Sequence, residues 1–236
     1  MGARPAPRTI SALKTREPEP EDVQTVDLVL YHDVLCSWCY VADQRLDQLR
    51  AEYRGDVRWA LKAFPLRPDE GVPDKKQRQL LARHFRRVAK EAEGKGVRTE
   101  LWTGNDPPVS SMPPLIALEA ALLQGEDKQR ALLASMRKAA FVDGINVARR
   151  DVLLELASRS GLDVQRFLVG LDDPCATRQV EESTEEGESH GIRGVPALVI
   201  GGEWLMQGAR DVSEYRQVID KYLSERVTGT RLRVLH

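Results

Sequence analysis

The chain has 236 residues, 42% hydrophobic and 30% charged, enough for one mid-sized core with a large insertion or for two small domains. Its 35 basic and 36 acidic side chains leave a formal net charge of −1, so no charge excess draws it to nucleic acid or anionic lipid. Its three cysteines, an odd and small number, argue against a disulfide scaffold.

Residues 1–24 carry Arg4, Arg8, Lys14 and Arg16 among Pro5, Pro7, Pro18 and Pro20. With no apolar run of signal-peptide length, they read as a disordered leader rather than a secretory signal. The longest apolar stretch, Leu115–Leu123, contains Glu119 and falls short of the roughly 18 residues a spanning helix needs. A cytoplasmic protein without membrane contact is expected.

Val26–Asp33 alternates Val26, Leu28 and Leu30 with Asp27, Val29 and Tyr31, which predicts a largely buried strand. Cys36-Ser37-Trp38-Cys39 follows. An amphipathic stretch then places Leu46, Leu49 and Tyr53 on one face and stops at Gly55, which predicts a helix. Val57–Phe64 alternates again. Strand, helix and strand within about forty residues form a βαβ unit with the C-x-x-C at the start of its helix.

Residues 71–189 carry helical patterns: one around Leu81, Phe85, Val88 and Ala92, then Leu115–Leu123 opened by Pro113-Pro114, then Asp127–Phe141, Asp151–Ser158, Val164–Leu171 and Cys175–Ser189. Asp127, Asp151 and Asp163 stand where N-caps belong, and Thr103–Pro108 reads as a loop. Ala197–Ile200, Gly201-Gly202 and Glu203–Met206 predict a β-hairpin. Asp211 caps a last helix through Leu223, and residues 226–236 read as a polar tail. The order βαβ, helices, ββα is that of an α/β thioredoxin-like fold with a core at 25–70 and 190–225 and an inserted helical domain at 71–189.

A cysteine at a helix start faces unpaired N–H groups where the macrodipole favours negative charge. That predicts a lowered pKa for Cys36, and thiolate is the nucleophile of disulfide exchange. Cys39, one turn on, shares its face and fits the resolving thiol. Ser37 offers a hydroxyl to a thiolate, Trp38 an apolar rim, and Asp33 a proton carrier for Cys39 if buried. A zinc half-site is the competing reading of C-x-x-C, but Cys175 and the histidines at 32, 84, 190 and 236 form no second ligand pair. Pro196, entering a strand after Gly194-Val195, cannot donate to the ladder. An ordinary trans proline fits there, and so does a cis bond that exposes the Val195 backbone to a substrate strand.

Tyr31–Tyr40 (YHDVLCSWCY), Gly191–Ile200 (GIRGVPALVI) and Gln207–Ala209 (QGA) resemble the DsbA-like thioredoxin superfamily, in particular its FrnE-type branch. The resemblance spans residues 26–223. It implies a cis Pro196 and thiol–disulfide exchange on protein or peptide substrates, with no cofactor beyond the cysteine pair and with glutathione as a candidate reductant. Ser37 stands where this branch often has Pro. The related 2-hydroxychromene-2-carboxylate isomerases and kappa-class glutathione transferases use glutathione and commonly carry Ser at the first cysteine position, which Cys36 argues against. Two rival functions follow: a glutathione-dependent isomerase or transferase on a small aromatic molecule, and a non-catalytic binding or chaperone-like module. Cys175, after Asp172-Asp173-Pro174, reads as a small semi-buried residue, and Trp59, Phe64 and Leu115–Leu123 as core.

Overall fold

The computed structural model describes residues 25–69 and 71–227, so the leader expected over 1–24 and the tail beyond 227 lie outside the described residues. Strand β1 (Val26–His32) turns Val26, Leu28 and Leu30 to one face of the sheet and Val29 and Tyr31 to the other. Strand β2 (Val57–Ala63) runs parallel to β1 with Val26 opposite Val57 and His32 opposite Ala63. A parallel pair needs a crossover, and helix α1 (Ser37–Asp47) supplies it. That helix ends before Gly55. From Leu46 onward the chain tightens into three-residue steps, with N–H donations from Leu49 to Leu46 and from Arg50 to Asp47. Leu49 and Tyr53 are still buried, from turns rather than from a helix face.

Seven helices lie between β2 and β3: α2 (Lys75–Val88), α3 (Glu100–Thr103), α4 (Met112–Leu122), α5 (Glu126–Phe141), α6 (Arg150–Arg159), α7 (Val164–Asp172) and α8 (Pro174–Ser189). Asp163 caps α7 and accepts from the Arg166 N–H at 3.0 Å. Asp127 and Asp151 do not cap. They sit in the first turns of α5 and α6, behind N-caps Gly125 and Arg149, where a carboxylate still complements the helix dipole. The one-turn α3 was not anticipated and takes up Thr103 from the expected loop. Helix α4 is buried along Leu115, Ala117, Leu118, Ala120 and Ala121, but its end is not core, because Leu122 and Leu123 are exposed.

The chain returns through β3 (Ala197–Ile200) and β4 (Trp204–Gln207) and finishes with α9 (Val212–Val227). The hairpin turn takes Glu203 as well as the two glycines, with the Glu203 N–H on the Ile200 carbonyl at 3.1 Å, so β4 starts one residue later than the pattern predicts. Arg226 belongs to α9, not to a tail. The sheet order is β2-β1-β3-β4, with β3 antiparallel to both its neighbours.

One sheet face packs Leu28, Leu30, Leu198 and Ile200 against Leu46 of α1 and Tyr215 and Ile219 of α9. The other packs Tyr31 and Val199 with Phe64 and Ile192. The helical core is continuous with Val34, Leu35 and Val41, which flank the cysteines, so it reaches the motif directly. Arg45 of α1 ties these parts together through ion pairs to Glu91 (2.8 Å), Glu93 (3.1 Å) and Asp211 (3.3 Å).

Candidate active site

Cys36 is the N-cap of α1, and its Sγ accepts the Cys39 backbone N–H at 3.1 Å. A cap position usually held by Ser or Asp is here held by sulfur. Both thiols are free. Cys36 keeps 8% of its surface exposed and Cys39 none. Burial, reinforced by the neighbouring Cys36 sulfur, pushes the Cys39 thiol well above its usual range. Cys36 is therefore the more accessible of the two sulfurs.

The Val195–Pro196 bond is cis, and the Cys36 thiol donates to the Val195 carbonyl at 3.6 Å. The Pro196 carbonyl accepts from Gly208 N–H at 2.8 Å, which extends the hairpin ladder beyond β4. Residues 159 positions apart thus meet at one sulfur. Ser37 is buried at the helix start. Trp38 is half-buried and leans on the helical core.

Asp33 is fully buried between β1 and the motif. Its Oδ1 accepts the Leu35 N–H and its Oδ2 the Leu66 N–H, both at 2.7 Å. Burial raises its pKa, opposed by those amides, by the nearby Ser111 hydroxyl and by Arg137. The Asp33 backbone also lies close enough to Cys39 to favour its thiolate. His32, next to it, is pushed down to about 3 by burial and then by Arg137, so it stays neutral near neutral pH.

Sequence reasoning did not single out Asp43 and Arg137. Asp43 lies one helical turn beyond Cys39, and its Oδ2 accepts from Arg137 Nη1 of α5 in a buried ion pair. The spacing of four from Cys39 was a signal for Asp43. Nothing local points to Arg137, which is 94 positions away. Cys175 is exposed rather than semi-buried. It sits at the start of α8, where its N–H donates to Asp173 Oδ1 at 2.8 Å. Among the described residues no cluster of His, Cys, Asp and Glu is arranged to hold a metal ion. No helix there is long and apolar enough to cross a membrane.

Residues 27–220 match the DsbA-like thioredoxin domain. The chain belongs to this family. In sequence, this DsbA-like chain is 28% identical over 180 residues to the ClpXP adapter protein SpxH of Halalkalibacterium halodurans, an alignment covering 74% of this chain and 58% of the relative. It therefore spans little more than half the length of that protein. The cytosolic disulfide reductase DsbM from Pseudomonas aeruginosa, solved with GSH, is 26% identical with a TM-score of 0.63, over 87% of this chain and all of DsbM. A candidate protein disulfide isomerase of Nitrosomonas europaea superposes with a TM-score of 0.72 at 21% identity, over 86% of this chain and 99% of its own, and shows the shared fold.

Proposed function

We propose that this chain is a cytoplasmic thiol–disulfide oxidoreductase or isomerase acting on protein or peptide disulfides, with glutathione as its candidate reductant. The observation that carries the reading is the convergence on Cys36 Sγ of the Cys39 N–H and the Val195 carbonyl beside a cis proline. The helix start turns a backbone donor toward the sulfur that would carry the attack in disulfide exchange. The Cys36 thiolate attacks one sulfur of the substrate disulfide and expels the other as a thiolate, which gives a mixed disulfide. Cys39 then loses its proton, with the buried Asp33 as candidate acceptor, and attacks Cys36 Sγ. The second substrate thiol leaves, and the Cys36–Cys39 disulfide carries the two-electron oxidation. Two reduced glutathione molecules reset it and leave as glutathione disulfide. Val195 and Pro196 form the edge against which an extended peptide aligns, Ser37 and Trp38 line the motif, and the helices α2–α8, whose core reaches the motif, shape substrate choice. The cytosolic DsbM supports both the compartment and the reductant.

The test is redox equilibration against glutathione buffers, followed by thiol alkylation and mass measurement. A reversible disulfide confined to Cys36 and Cys39 is expected, and its potential separates reductase from oxidant. A stable Cys36–glutathione adduct with no internal disulfide instead transfers the chain to the glutathione-dependent isomerases and transferases. A second reading, a protein-binding adapter, draws on the SpxH relative. It requires a partner protein to bind a Cys36→Ser/Cys39→Ser variant as tightly as the wild type.

A further inference from the structure

Along the cysteine helix lies a charge cluster, buried at Arg137 and Asp43, that the exchange chemistry does not use. Arg137 is 2% exposed, and its Nη1 is bonded to Asp43 Oδ2. The other Asp43 oxygen has Arg130 at 3.7 Å and Arg50 at 3.8 Å, and both of these also pair with Asp47. Three guanidinium groups therefore surround two carboxylates, and the cluster carries one uncompensated positive charge. The Arg137 Nε and Nη2 are buried with no hydrogen-bond partner among the described residues, as is His32 Nδ1. Even when paired, a buried cation acts at a distance through a low dielectric. Its pairing with Asp43, one turn beyond Cys39 on the same face of α1, anchors it on the helix that carries that thiol.

We propose that Arg137 is a positioning residue of the resolving step, stabilising the Cys39 thiolate as it attacks the mixed disulfide on Cys36. The assignment rests on the dithiol reading above. The charged and titratable groups about Cys39 are Cys36 and, one turn on, Asp43 on its own helix, Asp33 just after β1, Arg137 from α5 and Tyr215 from α9. Asp33 is fully buried with its ionisation disfavoured, Tyr215 is neutral until high pH and His32 is neutral, which leaves Arg137 as the charge that favours a Cys39 anion. In the step itself Cys39 gives up its proton, its sulfur bonds to Cys36 Sγ, the Cys36–substrate S–S bond breaks, and the departing thiolate takes a proton from solvent. The number of disulfides is unchanged.

The experiment mixes the reduced protein, in a Cys175→Ser background, with a nitrobenzoate disulfide that releases a coloured thiolate. Attack by Cys36 releases one equivalent and resolution by Cys39 a second, so the two phases separate the two steps. Relative to its own first phase, the second phase of Arg137→Gln should slow about tenfold near neutral pH, with its pH midpoint about one unit higher. Arg137→Lys should recover most of that loss. Asp43→Asn, which leaves the guanidinium unopposed, should move the midpoint down. A merely structural pair would slow both variants alike, so displacement in the same direction overturns the proposal, as does an unchanged profile in Arg137→Gln. Should Arg137→Gln fail to fold because it strands the Asp43 carboxylate, a midpoint in Asp43→Asn that stays put or rises is equally fatal. A wild type with a first phase and no second defeats the dithiol reading and takes this assignment with it. A normal wild-type second phase beside an insensitive Arg137→Gln removes the assignment alone.

Discussion

At the scale of the residue, His32 shows what the interior does to a titratable group placed close to the cysteine motif. Burial, then Arg137, depresses its folded-state pKa to about 3 from 6.5. Between those values the unfolded chain binds a proton that the folded one refuses, so stability rises with pH and is lost as pH falls from 6.5 toward 3. Each pH unit in that window costs about 1.4 kcal/mol from this group. Urea unfolding at pH 4.5 should show roughly 2–3 kcal/mol less stability than at pH 7, and His32→Gln should abolish most of the difference. An equally steep decline in the variant would place the titration elsewhere. The meeting of Cys36 and Cys39 with the cis Val195–Pro196 bond was legible in the sequence because each motif is a few adjacent letters. The Arg137–Asp43 pair was not, since only the packing of α5 across α1 joins residues so far apart.

Among the elements, that packing rests on aromatic rings as well as on charge. Tyr40 of α1 meets Phe141 of α5 edge-on at 5.5 Å, and Phe141 meets Phe85 of α2 at 5.3 Å. Phe141 is fully buried, so Phe141→Ala should cost about 3–5 kcal/mol in denaturant titration. A loss below about 1 kcal/mol would mean that the ring does not carry the contact. The hairpin has a steric limit of its own. Gly201 has φ +59°, and a Cβ there would stand 1.8 Å from the Tyr222 hydroxyl on α9. Apart from the one-turn α3, element type and order were readable from periodicity and from glycine and proline punctuation. Boundaries were not, because capping at Gly125 and Arg149 and the tightened turns after Leu46 depend on neighbours that no local pattern encodes.

Over the whole molecule the decisive feature is the position of β1. It is an inner strand whose two partners come from distant parts of the chain: Leu28 pairs with Trp59 shortly after it, and with Ile200 only after the helices α2–α8 that follow β2. Closure entropy makes such distant pairing late and local helical contacts early. Pulse-labelled hydrogen exchange during refolding should find the amides of α4 and α5 protected before those joining β1 to β3, and the reverse order would refute this. During synthesis β1 emerges among the first described elements, yet one of its edges must wait for β3. Until then that edge is open to any other extended strand, which makes the incomplete chain more prone to aggregate than the finished protein.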